Sequence, residues 1–183
     1  IIETHQGFIR GRVVQNVYVF KGIPYARPPI GALRWKAPED PAPFGDVFDA
    51  SKPGPISLQL SPLSGKVVGS EDSLYLNVWV PKTARSENLP VMFWIHGGAY
   101  VFGDSLQRVG LVDTYDAATL AAKGEVIVVS INYRLGPLGF MAHKDLAQES
   151  KEGSTGNYGL LDQIKALQWF QKNIAAFGGD PSR

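Results

Sequence analysis

Val91-Met92-Phe93-Trp94-Ile95-His96-Gly97-Gly98-Ala99-Tyr100 is an apolar run that breaks abruptly into a loop of small residues. The unbroken apolar stretch from Val91 to Ile95 predicts a buried strand. After it, Gly97, Gly98 and Ala99 leave the backbone bare. Their N–H groups can then approach a developing anion, which a bulky side chain on the loop would prevent. A second apolar run, Val126 to Ile131, follows, with Tyr115 to Lys123 readable as a helix between the two. Two such runs bridged by a helix predict a βαβ unit, its parallel strands covered on both faces.

Upstream, Leu74-Tyr75-Leu76-Asn77-Val78-Trp79-Val80 reads as another strand, closed by Pro81. The β-branched and aromatic segments Gly7 to Val14 and Val17 to Phe20, joined through Gln15-Asn16, predict an antiparallel hairpin. From Pro24 to Pro62 prolines recur too often for long ladders, so this stretch is expected to wrap the surface in order, anchored by Trp35 and Phe44. Downstream, Ile164, Leu167, Phe170, Ile174 and Phe177 recur at steps of three and four. They predict an amphipathic helix with Asn157 as N-cap, ending at Gly178-Gly179 and Pro181. Strands alternating with helices make the fold class α/β: an antiparallel hairpin, then a mixed, mostly parallel sheet with crossover helices.

The chain has 183 residues, 44% of them hydrophobic, enough for one globular core. Eighteen basic and 17 acidic residues give a net charge of +1 with no basic block. That balance argues against nucleic acid or an anionic membrane as partner. No apolar run approaches the roughly 20 residues of a membrane span. Ile1-Ile2-Glu3-Thr4-His5 has neither the basic nor the apolar region of a targeting peptide, so any such peptide is expected to have been removed or never to have existed. With no cysteine, the chain has no disulfide, thiolate nucleophile or cysteine metal site, and a reducing compartment such as a bacterial cytoplasm is favoured. No metal or organic cofactor is expected.

Several blocks in a fixed order resemble the type-B carboxylesterase and lipase family of α/β-hydrolases, which includes cholinesterases and neuroligins. They are Phe20-Lys21-Gly22-Ile23-Pro24-Tyr25-Ala26, Pro28-Pro29-Ile30-Gly31 with Leu33-Arg34-Trp35, Ser70-Glu71-Asp72-Ser73-Leu74-Tyr75-Leu76-Asn77, the His96 to Tyr100 loop, Asn132-Tyr133-Arg134, and Gly159-Leu160-Leu161-Asp162-Gln163 through Phe177-Gly178-Gly179-Asp180-Pro181. The resemblance runs from Gly7 to Arg183 and is nearer the bacterial carboxylesterases than the cholinesterases.

It implies a carboxylic ester hydrolase acting through an acyl-enzyme on a serine, with a small-molecule ester as substrate. Gly98 and Ala99 would supply oxyanion-hole N–H groups. His96 and Gly97 would support that loop, and Tyr100 and Phe102 would suit an apolar or aromatic substrate group. Two structural ion pairs are implied, Arg34 with Glu71 and Arg134 with Asp162. The nucleophile elbow would begin a few residues beyond Arg183, with the acid and histidine later still. The chain therefore reads as the N-terminal portion, residues 1–183, of one α/β-hydrolase domain whose C-terminal remainder is a necessary partner. A strand following the long helix would pair beside Val91 to Ile95, and without it the open edge should make the chain aggregate. No serine here has a Gly-x-Ser-x-Gly setting. Ser105, nearest the loop, reads as a polar loop residue, and His5 and His143 read as surface residues.

The family's pattern is not kept everywhere. Many relatives close an omega-shaped loop with a disulfide at positions where this chain has Ser57 and Ser73. Leu58 to Gly69 is accordingly expected to be held by packing alone and to be mobile. Leu58 to Ser70 also carries no aromatic side chain to stack on a quaternary ammonium, so choline esters are poor candidates. A non-catalytic, neuroligin-like binding protein is the alternative reading, decided by the residue at the elbow.

Overall fold

The structure is a computed structural model and describes residues 1–82, 88–109, 112–151 and 153–183. Strands β1 (Ile2–Thr4) and β2 (Gly7–Arg10) pair antiparallel. Strands β3 (Arg12–Val14) and β4 (Val17–Pro24) form the expected hairpin, but it begins only at Arg12, since Gly7–Arg10 pairs with β1 in a separate sheet. Its turn residues Gln15 and Asn16 both lie in the left-handed region, at φ 48° and 63°. A two-residue turn of that kind matches the twist of the strands it joins.

The proline-rich stretch holds only short ladders, as its missing N–H groups dictate. Strand β5 (Phe48–Asp49) pairs with β2, and β6 (Gln59–Leu60) with β7 (Val67–Val68). Phe44 stacks on Phe48 at 4.6 Å, and Trp35 Nε1 donates to Pro137 O at 3.0 Å. These two aromatics fasten the wrapping segment.

Strands β8 (Tyr75–Pro81) and β9 (Val91–Ile95) are followed by the small ladder of β10 (Arg108–Val109) with β11 (Val112–Asp113). Then come helix α1 (Ala118–Gly124), strand β12 (Ile127–Ile131), and helices α2 (Gly136–Phe140), α3 (Lys144–Glu149) and α4 (Tyr158–Asn173). The main sheet has five strands in the order β3-β4-β8-β12-β9. It is mixed, and in these residues its parallel part is the β12–β9 pair. Strand β12 is buried throughout, and β8 nearly so.

One core lies between the sheet and α4, where Phe20 meets Phe177 and Phe93 meets Phe170 edge-on. A smaller one lies under α1 around Trp79.

Three expectations need correction. Strand β9 is not covered on both faces: Met92 is 51% and Trp94 44% exposed, because β9 is an edge strand flanked on that face only by the approach to α1. Helix α4 does not bury the whole predicted stripe. Phe170, Ile174 and Phe177 are inside with Trp169 and Ala166, but Ile164 is 51% exposed. The helix carries two apolar faces, and the sheet covers only one. Finally, Asn157 stands at the start of α4, but its side chain makes no capping bond. Beyond Asn173 the chain tightens into a single 3-10 turn, closed by Gly178 at φ 84°.

Candidate functional site

Past Ile95 the chain must reverse within a few residues, and each small residue has a separate reason to be there. Gly98 adopts φ 119°, and a Cβ on it would fall 1.8 Å from Phe102 O, so only glycine fits. Ala99 at φ 52° and Tyr100 at φ 63° then occupy the left-handed region, at a cost of roughly 1–2 kcal/mol for each residue with a Cβ. The loop's own bonds hold this conformation. Val101 N and Phe102 N donate to Gly98 O at 3.0 and 3.2 Å, and Gly136 N donates to Tyr100 O at 2.7 Å.

What the turn leaves over is its chemistry. Among the described residues neither the Gly98 N–H nor the Ala99 N–H has an acceptor. Ala99 is exposed. Successive free amides in such a turn form a concavity for negative charge.

His96 stands behind the loop and is only 3% exposed. Its ring lies nearly parallel to Tyr133, 4.5 Å between centroids, and its carbonyl accepts from Tyr133 Oη at 2.9 Å. Burial pushes the imidazole below its ordinary pKa, against the pull of the Gly97 carbonyl and Asp104. A neutral ring with its proton on Nδ1 satisfies the 2.8 Å contact to Gly97 O. Nε2 is buried without a partner among the described residues. Gly103 closes the loop where a Cβ would lie 2.5 Å from His96 Nδ1.

Tyr100 is half exposed and, with Ala99, Gly136, Pro137, Phe140 and Met141, lines an apolar depression beside the turn. Phe102 is not part of that lining. Its carbonyl and ring back onto Gly98 instead.

The loop 58–69 is not held by packing alone. Ser57 Oγ donates to Tyr133 O at 2.6 Å and lies 3.1 Å from Ser73 Oγ, so two buried hydroxyls occupy the neck of the loop. Leu58 N donates to Ser70 O and Ser70 N to Ile56 O, at 3.1 and 2.9 Å. The Gln59 carboxamide reaches Gly103 as well, accepting from its N–H at 2.7 Å and donating to its carbonyl at 2.9 Å. A buried tyrosine hydroxyl and serine hydroxyl both need partners, and that need was the available signal for Tyr133 and Ser57. Nothing in the sequence marks Gln59.

Neither predicted ion pair includes a residue of the turn. Arg34 grips Glu71 through two bonds of 2.6 Å on a partly exposed surface. Arg134 meets Asp162 with Nε, Nη2 and its own backbone N–H, at 2.8, 2.7 and 3.0 Å, with both side chains buried. Burial raises the Asp162 carboxyl, and Arg134 draws it back. Ser105 is buried, accepting from Asn77 Nδ2 and donating its N–H to Asn132 Oδ1. His5 and His143 are exposed, and His143 caps α3. Among the described residues no cluster of His, Asp and Glu is arranged around a metal ion, and no helix is long and apolar enough to cross a membrane.

A sequence model of the Carboxylesterase family matches residues 1–183. The chain belongs to the carboxylesterase family. Among its relatives, the para-nitrobenzyl esterase of Bacillus subtilis is 48% identical over 186 residues, covering 99% of this chain and 36% of that protein. The fumonisin B1 esterase of Sphingopyxis macrogoltabida is 45% identical over 184 residues, covering 99% of this chain and 33% of that protein. A solved PNB esterase superposes with a TM-score of 0.86 at 49% identity, over 99% of this chain and 36% of the other. A carboxylesterase of Geobacillus stearothermophilus gives 0.83 at 42%, over 98% and 35%. This carboxylesterase-family chain thus has the α/β-hydrolase fold and spans about a third of the length of the relatives it matches.

Proposed function

We propose that the protein carrying this chain hydrolyses carboxylic esters with a serine nucleophile, and that these residues supply its oxyanion-hole loop. The observation that carries the reading is the pair of unspent amides at Gly98 and Ala99, held in a turn that admits no bulk at Gly98. In the reaction a serine outside this chain attacks the ester carbonyl. The carbonyl oxygen gains the negative charge, and N–H groups already in place stabilise it without reorganising. A third donor would come from the residue after the nucleophile. His96 and Gly97 hold the turn, with His96 neutral and taking no proton. Tyr100, with Pro137, Phe140 and Met141 beside it, walls an apolar acyl or alcohol group. Relatives named for esters as different as para-nitrobenzyl and pyrethroid substrates support the reaction class rather than one substrate. The remainder of the hydrolase domain is the partner this chain requires.

The test is mass analysis of the complete native protein, intact and then as proteolytic peptides, after treatment with a fluorophosphonate, which phosphonylates an activated serine with loss of fluoride. One adduct, on a residue outside positions 1–183, is expected. A protein that stays unlabelled and turns over no ester is a binding relative of the family, and the proposal fails.

A further inference from the structure

We infer that Gln59 is a positioning residue for the oxyanion turn, through which the loop 58–69 sets the geometry of Gly98 and Ala99; this rests on the proposed ester hydrolysis. Ala99 and Tyr100 are held in the left-handed region at a cost, and such backbone persists only where its surroundings over-determine it. The turn is fixed at its start, where Tyr133 Oη donates to the His96 carbonyl, and in its middle, where Gly136 N donates to the Tyr100 carbonyl. Its far end is Gly103, itself at φ 117° and without a side chain to anchor it. The two hydrogen bonds from the Gln59 carboxamide fix that end, one to each backbone group of Gly103. A primary amide presents a donor and an acceptor side by side, so it pairs with a residue's N–H and C=O as a neighbouring strand would.

Gln59 is in turn tied to the neck of its own loop. Its Nε2 also donates to Ser57 O at 2.9 Å, and Ser57 Oγ donates to the carbonyl of Tyr133, the residue that holds His96. Both ends of the oxyanion turn therefore lead back to Ser57. Movement in the loop 58–69 reaches Gly103 directly through Gln59 and His96 through Ser57 and Tyr133. Gly103 lies against the His96 ring and the Gly97 carbonyl. A displaced Gly103 lets both move, and the Gly98 and Ala99 amides move with them. No part of Gln59 needs to touch the substrate.

The test compares Gln59→Ala with Leu63→Ala in the complete protein. Leu63 lies at the tip of the same loop and is 90% exposed. Hydrogen exchange of the Val101 and Phe102 amides, both bonded to the Gly98 carbonyl, reads the brace without any activity. Steady-state hydrolysis of para-nitrophenyl butyrate reads its consequence. With Gln59→Ala, faster exchange at Val101 and Phe102 is expected, together with a fall in kcat of about tenfold at nearly unchanged KM. That is less than the loss of an oxyanion donor outright and in line with a small misplacement. Leu63→Ala should match the wild type in both. Should Gln59→Ala fold poorly, the isosteric Gln59→Glu keeps an acceptor for Gly103 N–H, loses the donor to Gly103 O, and is expected to shift both readouts the same way. Unchanged exchange at Val101 and Phe102 overturns the inference, as does faster exchange with full kcat. If the wild type hydrolyses no ester, the functional reading fails and exchange alone decides the brace.

Discussion

Gly98 and Ala99 are neighbours with opposite tolerances. A methyl group on Gly98 would fall on the Phe102 carbonyl, a backbone atom that cannot step aside, at a φ that L residues rarely adopt. Gly98→Ala should therefore cost more than about 3 kcal/mol in urea unfolding and remove ester turnover with it. Ala99→Gly relieves a left-handed alanine and keeps the amide. Its stability should stay within about 1 kcal/mol of the parent, on the stabilising side, with turnover retained. Loss of turnover in a well-folded Ala99→Gly protein would show that the methyl group, not the N–H, carries the function. The turn was legible in the sequence as small residues directly after an apolar strand, but such residues more often make an ordinary turn, and it was the family resemblance that singled out these two amides. Gln59 was not legible. It lies in a proline-rich stretch without periodicity, and its partner Gly103 is distant in the chain.

Between elements, the same kind of ion pair does very different amounts of work. Arg34 and Glu71 are 40% and 24% exposed, and water screens their attraction, so Glu71→Gln should cost no more than about 1 kcal/mol. Arg134 and Asp162 are 3% and 0% exposed, and they join the end of β12 to the first turns of α4. Arg134→Ala strands a carboxylate where no water reaches it and should cost about 3–5 kcal/mol. A double-mutant cycle with Asp162→Ala should recover part of that loss, since removing both charges leaves none unpaired. Simple additivity of the two single costs would mean that the groups do not interact. The hairpin, β8, β12 and the extent of α4 could be read from apolar spacing. Which face of α4 is buried could not. Periodicity reports that residues share a face but not what covers it, and α4 carries one stripe through Ala166, Trp169 and Phe170 and another through Ile164 and Leu167.

At the scale of the molecule, part of the exposed apolar surface flanks one sheet edge. Ile127 N donates to Pro90 O across the β12–β9 pair, so the backbone groups of Val91, Phe93 and Ile95 alternate away from β12. Val91 N on that outer side already donates to Arg183 O at 3.0 Å. The outward N–H groups of Phe93 and Ile95 have no acceptor among the described residues. Beside this edge, Met92, Trp94 and Leu120 are exposed on the α1 side of the sheet, and Ile164 and Leu167 are exposed on α4. An unpaired edge flanked by apolar side chains is a template for pairing with another strand. We propose that the remainder of the hydrolase domain adds its strand here, starting from the Arg183–Val91 contact. Residues 1–183 expressed alone should then self-associate with a concentration dependence visible in analytical ultracentrifugation, and the Phe93 and Ile95 amides should exchange rapidly in whatever monomer persists. In the complete protein both amides should be among the slowest to exchange, because a paired central strand opens only with the fold as a whole. A monomeric, cooperatively folding 183-residue species would show that the edge needs no further strand, and rapid exchange at Phe93 and Ile95 in the complete protein would place the remainder elsewhere.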